Sequence, residues 1–112
     1  MKKRIPPDEL RATFDFQMFY KNLKENSATY KQITACLDVL RQDLAVGEKI
    51  ERTKFPEVYL RRYGITNLYR LAVGKGSRLL YTVIAQDSKK VICVLEYFPS
   101  HKDYDKRFGY SS

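Results

Sequence analysis

Three strand-like runs separated by two short turns constrain the fold more than any other feature of the sequence. The runs cover residues 67–73, 78–85 and 91–98. Each is rich in the aliphatic, β-branched and aromatic side chains that favour strands. The first turn is Gly74-Lys75-Gly76, the second spans residues 86–89, and Pro99 ends the third run. Turns this short join antiparallel neighbours, so the sequence predicts a three-strand antiparallel meander.

Alternation along these runs assigns two arginines to one face of the predicted sheet. We expect Tyr69, Leu71 and Val73 on one face, Leu68, Arg70 and Ala72 on the other, and Arg78 in register with Leu80 and Thr82. The hairpin would bring Arg70 and Arg78 within several ångströms of each other. Neighbouring guanidinium groups repel unless an anion lies between them, so the pair predicts a phosphate site. The alternative is that each arginine pairs with a carboxylate such as Glu96.

The first half of the chain is expected to supply one strand and two helices. Residues 1–10, with Pro6-Pro7, are interpreted as a flexible arm. Alternating apolar residues at 12, 14, 16 and 18 predict a strand to about Phe16, followed by a short helix to Asn26. Phe19 and Leu23, at spacing four, leave open that the helix begins earlier.

A second helix is predicted from Ser27, a suitable N-cap, to near Gly47. Its apolar stripe is Ile33, Leu37, Leu40 and Leu44, and Cys36 joins this stripe. Residues 48–66 contain Pro56 and Gly64 without a clean period and are interpreted as a long basic connection. The prediction is therefore a single α+β domain over residues 1–112. In it, a small antiparallel sheet, made of the N-terminal strand and the meander, packs against two N-terminal helices.

The positive charge is concentrated in the second half of the chain. The whole chain has 21 Lys and Arg against 13 Asp and Glu, a net charge of +8. Residues 49–112 hold 13 of the basic and 6 of the acidic side chains, together with 10 of the 15 aromatic residues. Basic residues interleaved with aromatic rings suit a nucleic acid, because cations neutralise phosphate and rings stack on bases. A solvated basic face is the alternative.

Several classes of protein are excluded by what the sequence contains. Two cysteines and one histidine are too few for a disulfide scaffold or a Cys/His zinc site, so we expect no metal and no cofactor. No apolar run approaches the ~20 residues of a membrane span. Pro6, Pro7 and two acidic residues follow the basic start where a secretory signal would have an apolar segment. We therefore expect a cytoplasmic protein that does not bind membranes.

The segment after the last predicted strand gathers groups that can do acid–base chemistry. His101, Lys102, Tyr104 and Arg107 lie within seven residues. Imidazole exchanges a proton near neutral pH, and the cations can stabilise charge on a phosphate. A lone surface histidine is more often inert, so spacing alone does not decide its role.

Four segments carry a resemblance to a known family. They are residues 63–70 (YGITNLYR), 76–83 (GSRLLYTV), 95–97 (LEY) and 101–110 (HKDYDKRFGY). In this order they resemble the RelE/ParE superfamily of type II toxin–antitoxin toxins, especially the archaeal RelE-like members, over roughly residues 49–110. The resemblance implies a RelE-like fold and an endoribonuclease that cleaves mRNA in the ribosomal A site. The implied reaction needs no metal: a ribose 2′-OH attacks the adjacent phosphate. An acidic antitoxin would bind and silence the toxin.

The resemblance also assigns roles to residues. Arg78 matches the strand arginine that binds the scissile phosphate, and Arg70 matches the preceding basic strand position. His101 and Lys102 match the basic pair after the last strand, and Tyr104 resembles the tyrosine that stacks on or orients a base. With Arg70, Arg78, His101 and Tyr104 as catalytic residues, the expected substrate-binding set is Lys49, Arg52, Lys54, Lys75, Lys102 and Arg107.

The chain departs from the family at one place that matters for catalysis. Members often carry two lysines on the strand before the turn, where this chain has Tyr69-Arg70-Leu71. Arginine rarely deprotonates, so Arg70 can stabilise charge but is a poor base. His101 then becomes the expected base, with Glu51 or Glu48 as weaker candidates. Two alternatives stay open: a ParE-like toxin that inhibits DNA gyrase, and a degenerate toxin that binds RNA or its antitoxin without cutting.

Overall fold

The structure is a computed structural model that describes residues 3–74 and 76–109 of the chain. Its strands are β1 (Glu9–Ala12), β2 (Glu48–Lys49), β3 (Tyr69–Val73), β4 (Ser77–Gln86) and β5 (Lys89–Phe98). Its helices are α1 (Phe14–Lys21), α2 (Ala28–Gln42), α3 (Glu57–Tyr63) and α4 (His101–Phe108), with a short 3-10 turn at Arg52–Lys54. The fold class is α+β, as predicted. None of the helices in the described residues has both the length and the apolar character needed to cross a membrane.

The meander is confirmed, and it forms the centre of a five-stranded sheet of order β1-β5-β4-β3-β2. β3 pairs antiparallel with β4, and β4 pairs antiparallel with β5. The second turn is a two-residue hairpin in which Asp87 and Ser88 have positive φ angles of 50° and 65°. This left-handed pair twists in the same sense as the strands, which explains why so short a connection closes the hairpin.

The sheet is mixed rather than antiparallel, because β1 pairs with β5 in parallel, with Glu9 opposite Val91. The predicted flexible arm over residues 1–10 includes the first two residues of this strand, and its backbone is hydrogen-bonded to the rest of the protein at two further points. The Leu44 amide donates to the Ile5 carbonyl and the Asp8 amide donates to the Lys90 carbonyl, each at 2.8 Å. Residues 1 and 2 lie outside the described residues.

The predicted strand through Phe16 is also wrong, since helix α1 already begins at Phe14. The Thr13 side chain caps this helix by accepting a hydrogen bond from the Phe16 amide at 3.2 Å. An N-cap oxygen that satisfies a free helix amide stabilises a helix start by about 1 kcal/mol. The alternative of an early helix was therefore the correct one. Its apolar residues at 14, 16 and 18 do not share one face, as Phe16 is buried and Phe14 is exposed.

Helix α2 and its buried stripe are confirmed. Ser27 caps its first turn by accepting from the Tyr30 amide at 3.1 Å. The predicted stripe, Ile33, Leu37, Leu40 and Leu44, is buried, and Cys36 packs against the same core. The helix ends at Gln42 rather than near Gly47.

Helices cover both faces of the sheet, and each face has its own core. Helices α1 and α2 pack on one face through a cluster that includes Phe16, Val73, Leu79 and Tyr81. The other face packs against α3 and α4 through Tyr59, Leu68, Leu80, Leu95 and Tyr104. The sequence predicted only the two N-terminal helices. The second helical layer is what brings the C-terminal segment onto the sheet.

The predicted irregular connection over residues 48–66 contains regular structure. It includes β2, the 3-10 turn and α3, and its buried residues Ile50, Phe55 and Tyr59 belong to the second core. Pro56 precedes the first residue of α3, and Gly64 ends the helix in the left-handed conformation with φ 57°. These two residues are common boundary signals of helices, so they mark the ends of α3 rather than a loop.

Candidate functional site

A cleft lies where the β3–β4 hairpin meets the short strand β2 and the first residue of α4. Its volume is about 360 Å³. Its walls are formed by Val46, Glu48, Arg70, Leu71, Ala72, Arg78 and His101, and we call it the arginine cleft. Two cations, one carboxylate and one imidazole therefore line a single concave surface.

The strand register explains why the two arginines share this cleft. Arg70 lies opposite Leu80, and Ala72 lies opposite Arg78. Residues that face each other across a pair of strands lie on the same side of the sheet, so Arg70 and Arg78 are diagonal neighbours on one face. The prediction that they lie on the same face is confirmed.

Arg70 is held by two partners. Its Nη2 and Nε atoms donate to the two Glu48 oxygens at 2.9 and 3.1 Å, and its Nη1 donates to the Tyr104 hydroxyl at 2.8 Å. The carbon of the guanidinium also lies 5.7 Å from the centre of the Tyr104 ring. The hydrogen bonds that Arg70 donates to Glu48 are the main cause that raises the pKa of Arg70, so the residue is a permanent cation in the cleft.

Glu48 completes an ion pair that bridges β2 and β3, because the register places it opposite Arg70. The hydrogen bond with Arg70 and the attraction of that charge hold the pKa of the Glu48 carboxyl below its ordinary value, and the more distant charge of Arg78 acts in the same direction. The carboxylate is therefore ionised, and it is exposed to solvent at the mouth of the cleft.

Arg78 differs from Arg70 in its contacts. Its Nη1 donates to the Ser77 carbonyl at 2.9 Å. Among residues 3–74 and 76–109, no carboxylate lies within 4.0 Å of its guanidinium nitrogens. Of the two alternatives for this pair, carboxylate pairing therefore holds for Arg70, through Glu48 rather than Glu96, and does not hold for Arg78.

His101 is the first residue of α4 and lies beside the β3–β4 turn. The Ser100 side chain caps this helix by accepting from the Asp103 amide at 3.3 Å. Gly76 has φ 76°, and a Cβ atom on it would come within 3.2 Å of the His101 ring. Glycine at this position therefore permits both the turn and the close approach of the imidazole. Lys102 follows on α4 and is exposed.

The structure places Tyr104 in the core rather than on the surface. Its side chain is 3% exposed, and its ring lies 4.4 Å from the Phe108 ring and 5.9 Å, edge to face, from the Phe98 ring. A ring in this position cannot stack on a nucleotide base, so the base-stacking role implied by the resemblance does not fit this conformation. Tyr104 contacts the cleft through its hydroxyl, which holds Arg70.

Arg107 lies outside the arginine cleft. Its Nη2 and Nε atoms donate to the two Glu96 oxygens at 2.9 and 3.1 Å, and the Tyr59 hydroxyl donates to the same carboxylate at 2.6 Å. Hydrogen bonds with Glu96 raise the pKa of Arg107, while burial raises the pKa of Tyr59. This network joins α3, β5 and α4, so Arg107 anchors α4 to the sheet.

The other predicted binding residues are dispersed around the cleft. Lys49 is opposite Tyr69 and so projects from the other side of the sheet to Glu48. Arg52 and Lys54 are exposed in the 3-10 turn and do not line the cleft. Lys75 lies outside the described residues. The structure thus brings Arg70, Arg78 and His101 together and does not gather the remaining cations around them.

No pattern in the sequence indicated that Glu48 would pair with Arg70. Strand β2 has two residues, too few to show an alternating pattern, and its partner lies 22 residues away. Within the described parts of the chain, no three His, Cys, Asp or Glu side chains form a group that could hold a metal ion. Comparison of the chain with models of protein families, with curated proteins and with solved structures finds no match.

Proposed function

We propose that the chain is the toxin of a type II toxin–antitoxin system, a RelE-like endoribonuclease that cleaves ribosome-bound mRNA in the cytoplasm. The observation that carries the proposal is the arginine cleft, in which Arg70, Arg78 and His101 line one concave surface together with Glu48. The motifs that resemble the RelE/ParE superfamily supply the arginines and the histidine of this surface.

The two arginines suit the phosphate at the cut. Arg78 has guanidinium N–H groups available beyond its bond to Ser77, and Arg70 is oriented in advance by Tyr104. As the 2′-oxygen attacks, negative charge builds up on the non-bridging phosphate oxygens. Fixed cations stabilise that charge without having to reorganise.

Two groups in the cleft can move the protons of the reaction. The 2′-OH proton passes to a base as the oxygen bonds to phosphorus, and the departing 5′-oxygen takes a proton from an acid as its bond to phosphorus breaks. The products are a 2′,3′-cyclic phosphate and a 5′-OH. Arginine is excluded from both roles because it stays protonated, which leaves His101 and Glu48.

The proposed partner is an acidic antitoxin. The net charge of +8 and the uncompensated Arg78 in the cleft favour an acidic segment that covers the same surface as RNA. Such a segment would compete with RNA for the cleft, which accounts for silencing without a separate regulatory site.

The proposal is tested with purified protein that has been freed of metal ions and is then added to a translation extract. Wild type should halt translation and cut mRNA on ribosomes. Arg78→Ala and His101→Ala should each reduce the cleavage rate on the order of 10²-fold. The matched control is Arg41→Ala, an exposed arginine on α2 that pairs with Asp38, and it should cut like wild type.

Three results would contradict the proposal in different ways. Inhibition of gyrase supercoiling with translation intact would favour the ParE-like alternative. RNA binding without cleavage by wild type would indicate a degenerate toxin. Full activity of both Arg78→Ala and His101→Ala would show that the reaction occurs elsewhere on the protein.

A further inference from the structure

A second concave site, separate from the arginine cleft, lies where α1, α3, β5 and α4 meet. Its volume is about 250 Å³. Its aromatic lining consists of Phe16, Phe19, Tyr59, Tyr63 and Tyr97, and we call it the aromatic pocket. Pockets for drug-sized ligands have volumes of about 300 Å³ or more. The aromatic pocket is smaller, so it suits a single ring system.

The aromatic rings stand on two sides of this pocket. Phe19 from α1 stacks on Tyr97 from β5, with ring centres 5.7 Å apart and planes at 21°. On the α3 side, the Arg62 guanidinium lies over the Tyr63 ring, 5.5 Å from the ring centre. The pocket therefore has aromatic side chains on both its α1 side and its α3 side.

Polar groups flank the rings. Arg62 Nη2 lies 3.3 Å from Asp15 Oδ2, so a donor and an acceptor from different helices stand side by side at the pocket. Both side chains are more than half exposed. Deeper in the pocket, the Glu96 carboxylate is already bonded to Tyr59 and Arg107. The pair at the mouth is thus the one whose bonds a ligand can exchange.

We propose that the aromatic pocket holds one nucleobase of the RNA strand. A base can stack on the aromatic rings, and its edge offers both an acceptor for Arg62 and an N–H donor for Asp15. An apolar side chain of a protein partner would fill the same volume but would remove water from that ion pair without replacing its hydrogen bonds. The inference depends on the proposed function, because it assigns the pocket to the same RNA substrate.

A groove of about 550 Å³ continues from the pocket along α4. It shares Glu96, Tyr97 and Arg107 with the pocket and extends to Pro99 and Asp103. In the part of the chain that the structure describes, the arginine cleft has no lining residue in common with this groove and reaches α4 at His101, two residues before Asp103. An RNA strand that follows the groove around α4 would join the two sites, so we expect the base in the pocket and the phosphate in the cleft to belong to the same strand.

Binding can be measured without cleavage by using a short 2′-O-methyl RNA, which has no free 2′-OH to attack. We expect wild type to bind it and Phe19→Ala and Arg62→Ala to weaken binding on the order of tenfold, the effect of losing one stacked base. Phe19→Tyr, which keeps the ring, should restore binding. The matched controls are Phe14→Ala and Arg61→Ala, both exposed neighbours on the same helices that do not line the pocket.

Replacing single nucleotides of that RNA by abasic ones gives an independent result. One abasic position should weaken binding to wild type and leave binding to Phe19→Ala unchanged. Equal affinity of wild type, Phe19→Ala and Arg62→Ala would overturn the pocket assignment and leave the endoribonuclease proposal standing. If nucleoside monophosphates cause no NMR shifts at the pocket, the assignment also fails, and a protein side chain becomes the occupant. If wild type binds the base but does not cleave RNA, the result would instead contradict the proposed function.

Discussion

Replacing Tyr104 by phenylalanine separates two roles for this residue. The resemblance to RelE-like toxins implies a ring that stacks on a base, and phenylalanine would keep such a ring. In the structure the ring is buried and the hydroxyl accepts from Arg70 at 2.8 Å. If the hydroxyl positions Arg70, Tyr104→Phe should lose activity although the aromatic ring remains.

The size of the effect follows from the contacts of Arg70. A hydrogen bond to a charged group contributes about 1.5–3 kcal/mol. The Arg70 side chain is 31% exposed and keeps its bonds to Glu48, so water can partly replace the lost oxygen and the lower end applies. About 1.4 kcal/mol corresponds to tenfold, so we expect cleavage to slow by about that factor. The free energy of unfolding should fall by about 1 kcal/mol, which lowers Tm by roughly 4–8 °C in a domain of this size.

The assay compares single-turnover cleavage of ribosome-bound mRNA with thermal unfolding for the same variants. Tyr20→Phe is the matched control, because the Tyr20 hydroxyl bonds to Thr34 at 2.5 Å in the helical layer on the opposite face of the sheet. It should lose stability and cleave at the wild-type rate. If Tyr104→Phe also cleaves at the wild-type rate, the Arg70–Tyr104 hydrogen bond does not position a catalytic group, and the argument from this geometry fails.

Three further predictions concern the cleft and the fold. The pKa of the Glu48 carboxyl should lie below its ordinary value of 4.5 and return towards that value in Arg70→Ala, as followed by carboxyl NMR, and identical titration curves would contradict the ion pair. Because the folded-state pKa is lowered, the stability that this pair contributes is present above pH 4.5 and is lost as the pH falls through the folded-state pKa. Leu40→Ala, at a fully buried position of α2, should cost about 2–5 kcal/mol in denaturant unfolding, while Val39→Ala, at its 41% exposed neighbour, should change stability by about 0.5 kcal/mol or less. Ser100→Ala, which removes the N-cap of α4, should lower the free energy of unfolding by about 1 kcal/mol and raise the rate of hydrogen exchange in that helix. An unchanged exchange rate would show that packing alone maintains α4.

Local patterns predicted the elements whose stabilising contacts are close in sequence. The meander follows from runs of strand-forming residues and two tight turns, and α2 follows from Ser27 and an apolar stripe. An N-terminal strand was predicted, but at residues 12–16 instead of Glu9–Ala12, because β1 is four residues long and pairs with β5, more than 80 residues further along the chain. No local period reveals such a partner, since parallel pairing is decided by the assembled sheet.

Helices α3 and α4 were missed for a different reason, because their signals were present and were given too little weight. Pro56 and Gly64 bound α3, and Ser100 and Gly109 bound α4, in the positions that such residues usually occupy at helix ends. Both helices have at most eight residues, so each shows only about two turns of an apolar pattern. The burial of Tyr104, and with it the change in its expected role, follows directly from α4 being a helix.

Under the proposed function, the ion pair of Arg70 with Glu48 accounts for an arginine at the position where RelE-like toxins often carry lysine. In the free protein the Glu48 carboxylate holds the guanidinium of Arg70 through two hydrogen bonds. In the proposed reaction a substrate phosphate competes for the same guanidinium and displaces the carboxylate. Losing that partner raises the proton affinity of Glu48, because the hydrogen bond and charge that lowered its pKa are gone. Phosphate binding would thus make Glu48 a stronger base during the reaction. Arg70 can in this way assist proton removal without giving up a proton itself.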